Sequence, residues 1–249
     1  MKKLYTTLAG IAFFIVFIMV PGLVQADVFM KQKQHTDAFE MMGQTQPAND
    51  IIQTIWISKD KMRTDNEQQS VIVRIDKGVM YFIDHAQKIY NEMPMDFSKA
   101  FSEEDMDDEE KAQFNKFTQG MMKMEITITQ TDEKKKINKW NCRKYIQNVE
   151  MFMGPMVSEI WATQDLKMDE DLQTQFLTGM MASMPGMQDS IKKAEQEMRK
   201  IKGVPVLTSV TTTVMNKTMK SSQELLEFKE GKAPKGIFDL PAGYKKRSM

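Results

Sequence analysis

The stretch VIVRIDKGVMYFID, residues 71–84, predicts an antiparallel sheet. Apolar residues recur at every second position from 71 to 75 and again from 79 to 83, which is the period of a strand. Asp76-Lys77-Gly78 separates the two runs and supplies a tight turn, so the runs form a hairpin. A turn at His85-Ala86-Gln87 and a third run over Lys88–Met93 extend the hairpin into a meander.

Similar runs on both sides of this meander predict a larger sheet. They cover Ile51–Ser58, Met124–Thr129, Ile137–Gln147, Val157–Thr163, Val204–Val214 and Glu224–Phe228. Lys134-Lys135-Lys136 is interpreted as a polar turn, and helices are predicted over 96–120 and 169–202, the second broken at Pro185-Gly186. Strands that follow one another with helices inserted between them favour an α+β fold, in which one curved antiparallel sheet carries helices on one face.

The first 26 residues have the features of a signal peptide. Lys2 and Lys3 precede an uncharged apolar run over Leu8–Val20, and Val24-Gln25-Ala26 offers small residues for cleavage. The run is short for a membrane span, which needs about 20 residues, although an uncleaved anchor is the alternative. We therefore expect a periplasmic protein whose residues 27–249 form a single domain without a membrane span.

Charge and cysteine content limit the classes of function. The chain has 34 basic and 34 acidic residues, and this balance argues against a nucleic-acid partner. Cys142 is the only cysteine, so no internal disulfide can form, and we interpret it as a small buried apolar residue. A disulfide between two chains is the alternative.

Residue patterns typical of catalysis are missing from the sequence. His35 and His85 are the only histidines, and neither a nucleophile turn nor a paired-histidine metal motif accompanies them. His85 falls in a predicted turn, where we expect a solvent-exposed imidazole. Seven acids within residues 103–110 lack the spacing and glycine of a calcium loop and are interpreted as a solvated helix start. We expect a protein that is not an enzyme and has no cofactor.

Several segments together resemble the LolA-type lipoprotein carriers. They lie between about Ile51 and Lys246 and comprise residues 75–84 with Lys88-Ile89-Tyr90, and residues 140–145, 159–163, 202–206 and 238–244. The resemblance implies a half-barrel sheet whose concave face is covered by helices that enclose an apolar cavity for acyl chains. Lipoprotein shuttling itself is not carried over, because the features it depends on have no match here.

The 25 methionines allow three hypotheses. Methionine adapts to ligands of variable shape, which favours a hydrophobic ligand such as a lipid or acyl chain, with another envelope protein as a further partner. The candidate lining residues are Phe176, Leu177, Met180, Met181, Met184 and Met187 from a helical lid, with Trp56, Tyr81, Trp140 and Trp161 from the sheet.

Thioethers also suit Cu(I), which makes Met151, Met153 and Met156 an alternative metal site, although neither histidine nor cysteine accompanies them. In the third hypothesis the methionines fill the core of a structural or partner-binding protein.

Overall fold

The computed structural model describes residues 27–41, 44–95, 109, 125–151, 154–167, 188–214 and 217–247. Its strands are β1 (Val28–Thr36), β2 (Phe39–Met41), β3 (Gln44–Gln46), β4 (Asn49–Ser58), β5 (Lys61–Asp65), β6 (Gln69–Arg74), β7 (Val79–Asp84), β8 (Ile89–Pro94), β9 (Glu125–Ile137), β10 (Trp140–Met151), β11 (Gly154–Thr163), β12 (Val204–Val214), β13 (Lys217–Glu230) and β14 (Lys245–Lys246). The described residues include one α-helix with an assigned range, α1 (Gln188–Met198).

Twelve of these strands form one open sheet in the order β14-β8-β7-β6-β5-β4-β1-β13-β12-β11-β10-β9. Neighbouring strands are antiparallel, except that β14 is parallel to β8. The sheet consists of two meanders, β4 to β8 and β9 to β13, and β1 lies between them because it pairs with both β4 and β13. The predicted antiparallel sheet is thus confirmed.

The two faces of the sheet differ, and each is named here by one residue. The Met30 face carries Met30 and Ile55, which are direct cross-strand partners. The Trp56 face carries Trp56 and, through the pairings of β4 to β7, Tyr81. Side chains alternate between the faces along each strand, so cross-strand pairing assigns every residue of a regular strand to one face.

Helix α1 covers part of the Met30 face beside the edge strand β9. Ala194 on the helix and Ile201 just beyond it are buried, and Ile201 packs in one cluster with Ile128, Tyr145 and Ile160. The edge itself is also engaged, because the Ile128 amide donates a hydrogen bond of 2.8 Å to Glu197 Oε2. This contact occupies a backbone donor that an edge strand would otherwise leave unpaired.

The C-terminal segment crosses the Trp56 face. Arg63 Nη1 donates to the carbonyl oxygen of Ile237 at 2.9 Å, and Arg74 Nη1 donates to that of Phe238 at 3.3 Å. Strand β14 then adds to the edge of the sheet at β8. The strands β5 to β8 therefore bury side chains on both faces, including Ile72 on the Trp56 face and Val73 on the Met30 face.

The structure differs from the sequence-based expectations at one predicted turn and at several strands. The polar turn at 134–136 is wrong, because β9 continues to Ile137 and the turn falls at Asn138 and Lys139. Lysine is common on edge strands, where it opposes pairing with another sheet, so a lysine run here does not mark a loop.

Strands β1 and β5 were missed because polar and charged residues weaken the alternation of apolar and polar positions in them. The buried position of Cys142 is confirmed.

The expected helical cover lies largely outside the described residues. The helix predicted over 96–120 lies outside the described residues, apart from residue 109, which is helical. The first part of the predicted broken helix, residues 169–187, also lies outside them. Helix α1 falls within the second part of that prediction.

Candidate ligand-binding face

The Met30 face has an apolar row that runs across six strands. Each member lies directly opposite the next in the cross-strand register. From β1 through β4 to β8, the row is Val28, Ile57, Met62, Val73, Met80 and Met93. Directly opposed side chains contact one another, so the row forms a continuous apolar strip.

All six methionines whose side chains are described in this sheet lie on the Met30 face. Four of them, Met30, Met62, Met80 and Met93, follow from the pairings of β1 and β4 to β8. The other two are Met219 on β13 and Met156 on β11. Both lie opposite Thr212 on β12, the strand between them. Within the described part of the sheet, the methionines are thus confined to one face.

A polar band separates the apolar row from the second methionine region. Gln32, Gln147, Ser158 and Thr208 are each less than a tenth exposed, although all four carry polar side chains. Gln32 Oε1 accepts hydrogen bonds from Gln53 Nε2, at 3.2 Å, and from Gln223 Nε2. Further members of the band by register are Gln34, Gln53, Ser221 and Gln223.

Ser158 is the member of this band that its neighbours leave unsatisfied. Its side chain is fully buried, and its hydroxyl has no hydrogen-bond partner within the described part of the chain. Its cross-strand neighbours are Val210 and Gln147. An unpaired buried hydroxyl costs about 1–3 kcal/mol of stability.

The structure places the sequence-predicted lining residues in three different settings. Trp140 and Trp161 are buried in one core cluster with Met30 and Cys142. Trp56 and Tyr81 lie on the Trp56 face, where they contact Phe29 and Tyr90 at ring-centroid distances of 5.1 and 6.0 Å. The structure does not bring these four residues together. The lid residues lie outside the described residues: Phe176, Leu177, Met180, Met181, Met184 and Met187.

The proposed copper ligands are described only in part. Met156 is buried on the Met30 face between Val149 and Thr212. Met153 and the side chain of Met151 lie outside the described residues. Among the residues that are described, no group of three or more histidine, cysteine, aspartate or glutamate side chains could hold a metal ion.

A polar network that sequence reasoning missed lies on the Trp56 face. Ser70 Oγ donates to Asp65 Oδ1 and is 2.6 Å from His85 Nε2, while His85 Nδ1 is 2.8 Å from the Tyr244 hydroxyl. The expectation of an exposed His85 imidazole is wrong, because both ring nitrogens are bonded and the residue is half-buried. No local sequence pattern could have predicted this cluster, because its members are up to 179 positions apart in the chain, from Asp65 to Tyr244.

The direction of the hydrogen bonds in this network bears on its chemistry. The Ser70 hydroxyl proton goes to the carboxylate of Asp65, so Ser70 Oγ accepts from His85 Nε2–H. A histidine that activates serine as a nucleophile must instead accept the serine proton. Ser70 is also 1% exposed. The bond between His85 and Tyr244 joins this network to the C-terminal segment.

Comparisons with known proteins leave the class of protein open. No family model matches the chain, and no curated protein matches it. The chain is similar to the solved structure of PNGF-II, with a TM-score of 0.36 and 15% identity, over 87% of this chain and 31% of that one. It is also similar to an outer membrane lipoprotein-sorting protein domain from Vibrio parahaemolyticus, with a TM-score of 0.34 and 7% identity, over 87% of this chain and 90% of that one.

Both TM-scores are below 0.5, so the fold is defined by the strand pairings alone. In the described part of the chain, no helix combines the length and apolar character that a bilayer span requires.

Proposed function

We propose that this protein is an exported, non-catalytic binding protein that holds an amphipathic ligand, with an acyl chain and a polar group, against the Met30 face. Export is supported by the pattern of residues 1–26, with a basic start, an apolar run and a small-residue cleavage site. Amphipathic binding is supported by the arrangement of the face, where the apolar row on one side and Met156 and Met219 on the other flank a buried polar band.

The observation that carries this proposal is the distribution of methionine. All six described methionine side chains of the twelve-stranded sheet share the face that also carries the polar band. Methionine side chains are unbranched and polarisable, so a face built from them adjusts to a flexible chain. Each buried methylene of such a chain contributes about 0.8 kcal/mol before ordering costs.

The polar band supplies the second half of the specificity. Because Ser158 is fully buried in the free chain, binding requires the face to open, so that a hydroxyl, ester or carboxyl group of the ligand reaches the Ser158 hydroxyl and the amide of Gln147 beside it. A purely apolar ligand would leave this hydroxyl unsatisfied at the same cost as in the free protein. The proposed ligand class is therefore an acylated molecule with a polar group.

The test uses a dansylated undecanoic acid as a fluorescent probe for the purified protein. We expect saturable binding of the probe, a loss of about fivefold or more in affinity for Ser158→Ala, and no loss for Thr64→Val. Thr64 is a matched control because its hydroxyl is also buried and without a partner in the described residues, yet strands β4, β1, β13 and β12 lie between its strand β5 and Ser158 on β11.

A second pair of variants tests the methionines of the Met30 face. Met156→Gln introduces a polar group on the Met30 face and is expected to weaken probe binding, whereas Met156→Leu keeps the apolar volume and is expected to retain it. Native mass spectrometry of protein purified from its own periplasm supplies an independent measurement. Absence of both co-purified lipid and probe binding would refute the proposal.

A further inference from the structure

A cavity of about 550 Å³ lies at one end of the sheet, where β9 and β10 meet the segment after β11 and Lys202. Part of its wall is formed by the buried residues Cys142, Tyr145 and Ala162. A volume of this size is within the range of small-ligand sites. None of the acyl-ligand residues discussed above, including Ser158, lines this cavity.

The rest of the cavity wall is strongly basic. Five basic residues contribute to it, and Asp165 is its one carboxylate; of the three consecutive lysines, Lys135 lies on the opposite face of β9 from Lys134 and Lys136. Asp165 Oδ2 accepts hydrogen bonds from the backbone amide and the side-chain Nδ2 of Asn141, at 2.8 and 3.2 Å, and the charge of this carboxylate leaves a local excess of four positive charges. The five cations are Lys134, Lys135, Lys136, Arg143 and Lys202.

Most of these cations have no ionic partner in the described part of the chain. Lys135 lies over the ring of Trp161, with Nζ 4.0 Å from the centroid. No ion pair involves any of the other four within the described residues, whereas the adjacent Lys144 pairs with both Glu133 and Glu159, at 3.2 and 3.1 Å. The whole chain has equal numbers of acidic and basic residues, so the excess of positive charge is local to this cavity.

The position of Lys202 is fixed by tertiary contacts. Its backbone amide donates to the hydroxyl of Tyr145 at 3.1 Å. The next residue, Gly203, lies so close to β11 that a Cβ there would be 2.1 Å from the carbonyl oxygen of Thr163. The cavity is therefore built from residues far apart in sequence and held by a buried tyrosine.

We propose that this cavity binds a phosphate-bearing anion. The planar guanidinium of Arg143 can donate two parallel hydrogen bonds to a phosphate, and lysine ammonium groups add charge on either side. Side-chain amides of Gln130, Asn141 and Gln164 line the same cavity and offer neutral donors. The phosphate can belong to a lipid head group or be free inorganic phosphate. Lysines on an edge strand also oppose pairing between sheets, and the experiment separates that role from binding.

The test measures binding to the full chain by isothermal titration calorimetry with three ligands. These are inorganic phosphate, short-chain dihexanoyl phosphatidylglycerol and its zwitterionic counterpart dihexanoyl phosphatidylcholine. We expect the two anionic ligands to bind, and their affinity to fall about tenfold between 50 and 500 mM NaCl because salt screens the exposed cations. Tighter binding of phosphatidylglycerol than of phosphate assigns the site to a lipid head group, and equal affinity assigns it to free phosphate.

Two triple variants with the same change in charge complete the test. Lys134→Gln/Arg143→Gln/Lys202→Gln is expected to lose at least tenfold in affinity, and Lys59→Gln/Lys77→Gln/Lys235→Gln, which is remote from the cavity, is expected to bind like the native chain. Circular dichroism confirms that both are folded. Equal losses in the two variants, or no binding of either anion to the native chain, would overturn the proposal. The anion-binding test is independent of the acyl-probe test, because the Ser158→Ala variant used there changes no residue of this cavity.

Discussion

His85 and Tyr244 are 159 positions apart in the chain, and His85 Nδ1 lies 2.8 Å from the Tyr244 hydroxyl. Their rings meet edge to face, with centroids 5.8 Å apart and an interplanar angle of 86°. The contact fixes the C-terminal segment to the turn between β7 and β8. It works alongside the bonds from Arg63 and Arg74 to backbone carbonyls of the same segment.

Removal of this contact is expected to loosen the C-terminal segment. Tyr244→Phe deletes the hydroxyl and leaves His85 Nδ1 without this partner, which costs about 1 kcal/mol of the free energy of unfolding. Amide hydrogen exchange over residues 237–247 is expected to accelerate. Tyr90→Phe is the control, since its hydroxyl makes no such bond within the described residues. Unchanged exchange in Tyr244→Phe would show that the arginine contacts hold the segment alone.

The pKa of His35 is expected to lie above its ordinary value. The side chain of His35 is hydrogen-bonded to Asp50, at 2.7 Å, and to Asp37, at 3.0 Å, and these bonds raise its pKa. Stabilisation from a raised pKa is complete below the unfolded value near 6.5 and disappears as the pH rises through the folded value. NMR titration of the imidazole should show Asp50→Asn lowering this pKa, while the remote Asp60→Asn leaves it unchanged.

Cys142 is expected to resist alkylation in the folded protein. Burial raises the pKa of its thiol from 9.0 to about 11, so at pH 8 only about one molecule in a thousand carries the reactive thiolate. Labelling by iodoacetamide should therefore be at least tenfold slower than in 6 M urea. Since the folded pKa is raised, the stabilisation from this thiol is complete below pH 9 and is lost towards pH 11. Equal labelling rates with and without urea would contradict the buried position.

Gly203 is expected to tolerate no side chain. Its φ is +103°, and a Cβ would lie 2.1 Å from the Thr163 carbonyl oxygen, so Gly203→Ala combines backbone strain with a clash against β11. We expect a loss of about 2 kcal/mol or more in urea unfolding. Gly231→Ala is the matched control, because its backbone is relaxed and a Cβ there would meet nothing within 4 Å. An equal effect in the two variants would disprove the close approach.

Much of the strand content could be predicted from residue patterns. The hairpin of residues 71–84 is present as β6, a short 3-10 turn at Ile75–Lys77 and β7, with Gly78 in the left-handed conformation that the turn requires. Strands over 204–214 and 154–163 match the expected runs closely. These predictions succeeded because period-two alternation is a local property of a strand with one buried side.

Strand β1 and the second half of β9 depart from the sequence patterns for the same physical reason. Strand β1 places Gln32 and Gln34 where a buried face would normally have apolar residues, so its alternation is weak. Strand β9 carries three consecutive lysines, which an edge strand accommodates because one side of it faces no further strand. Pairing with neighbours distant in the chain stabilises both strands, and a local pattern does not record such pairing.

The sequence by itself determined where strands alternate, where Asp76-Lys77-Gly78 turns the chain and that Cys142 has no second cysteine within the same chain to pair with. Tertiary structure alone decided which alternate set of residues forms the Met30 face, because a period-two pattern is the same for either face and pairing through β1 selects one. It also decided that Lys134 and Lys202 line one cavity, since chain folding, not spacing, brings them together.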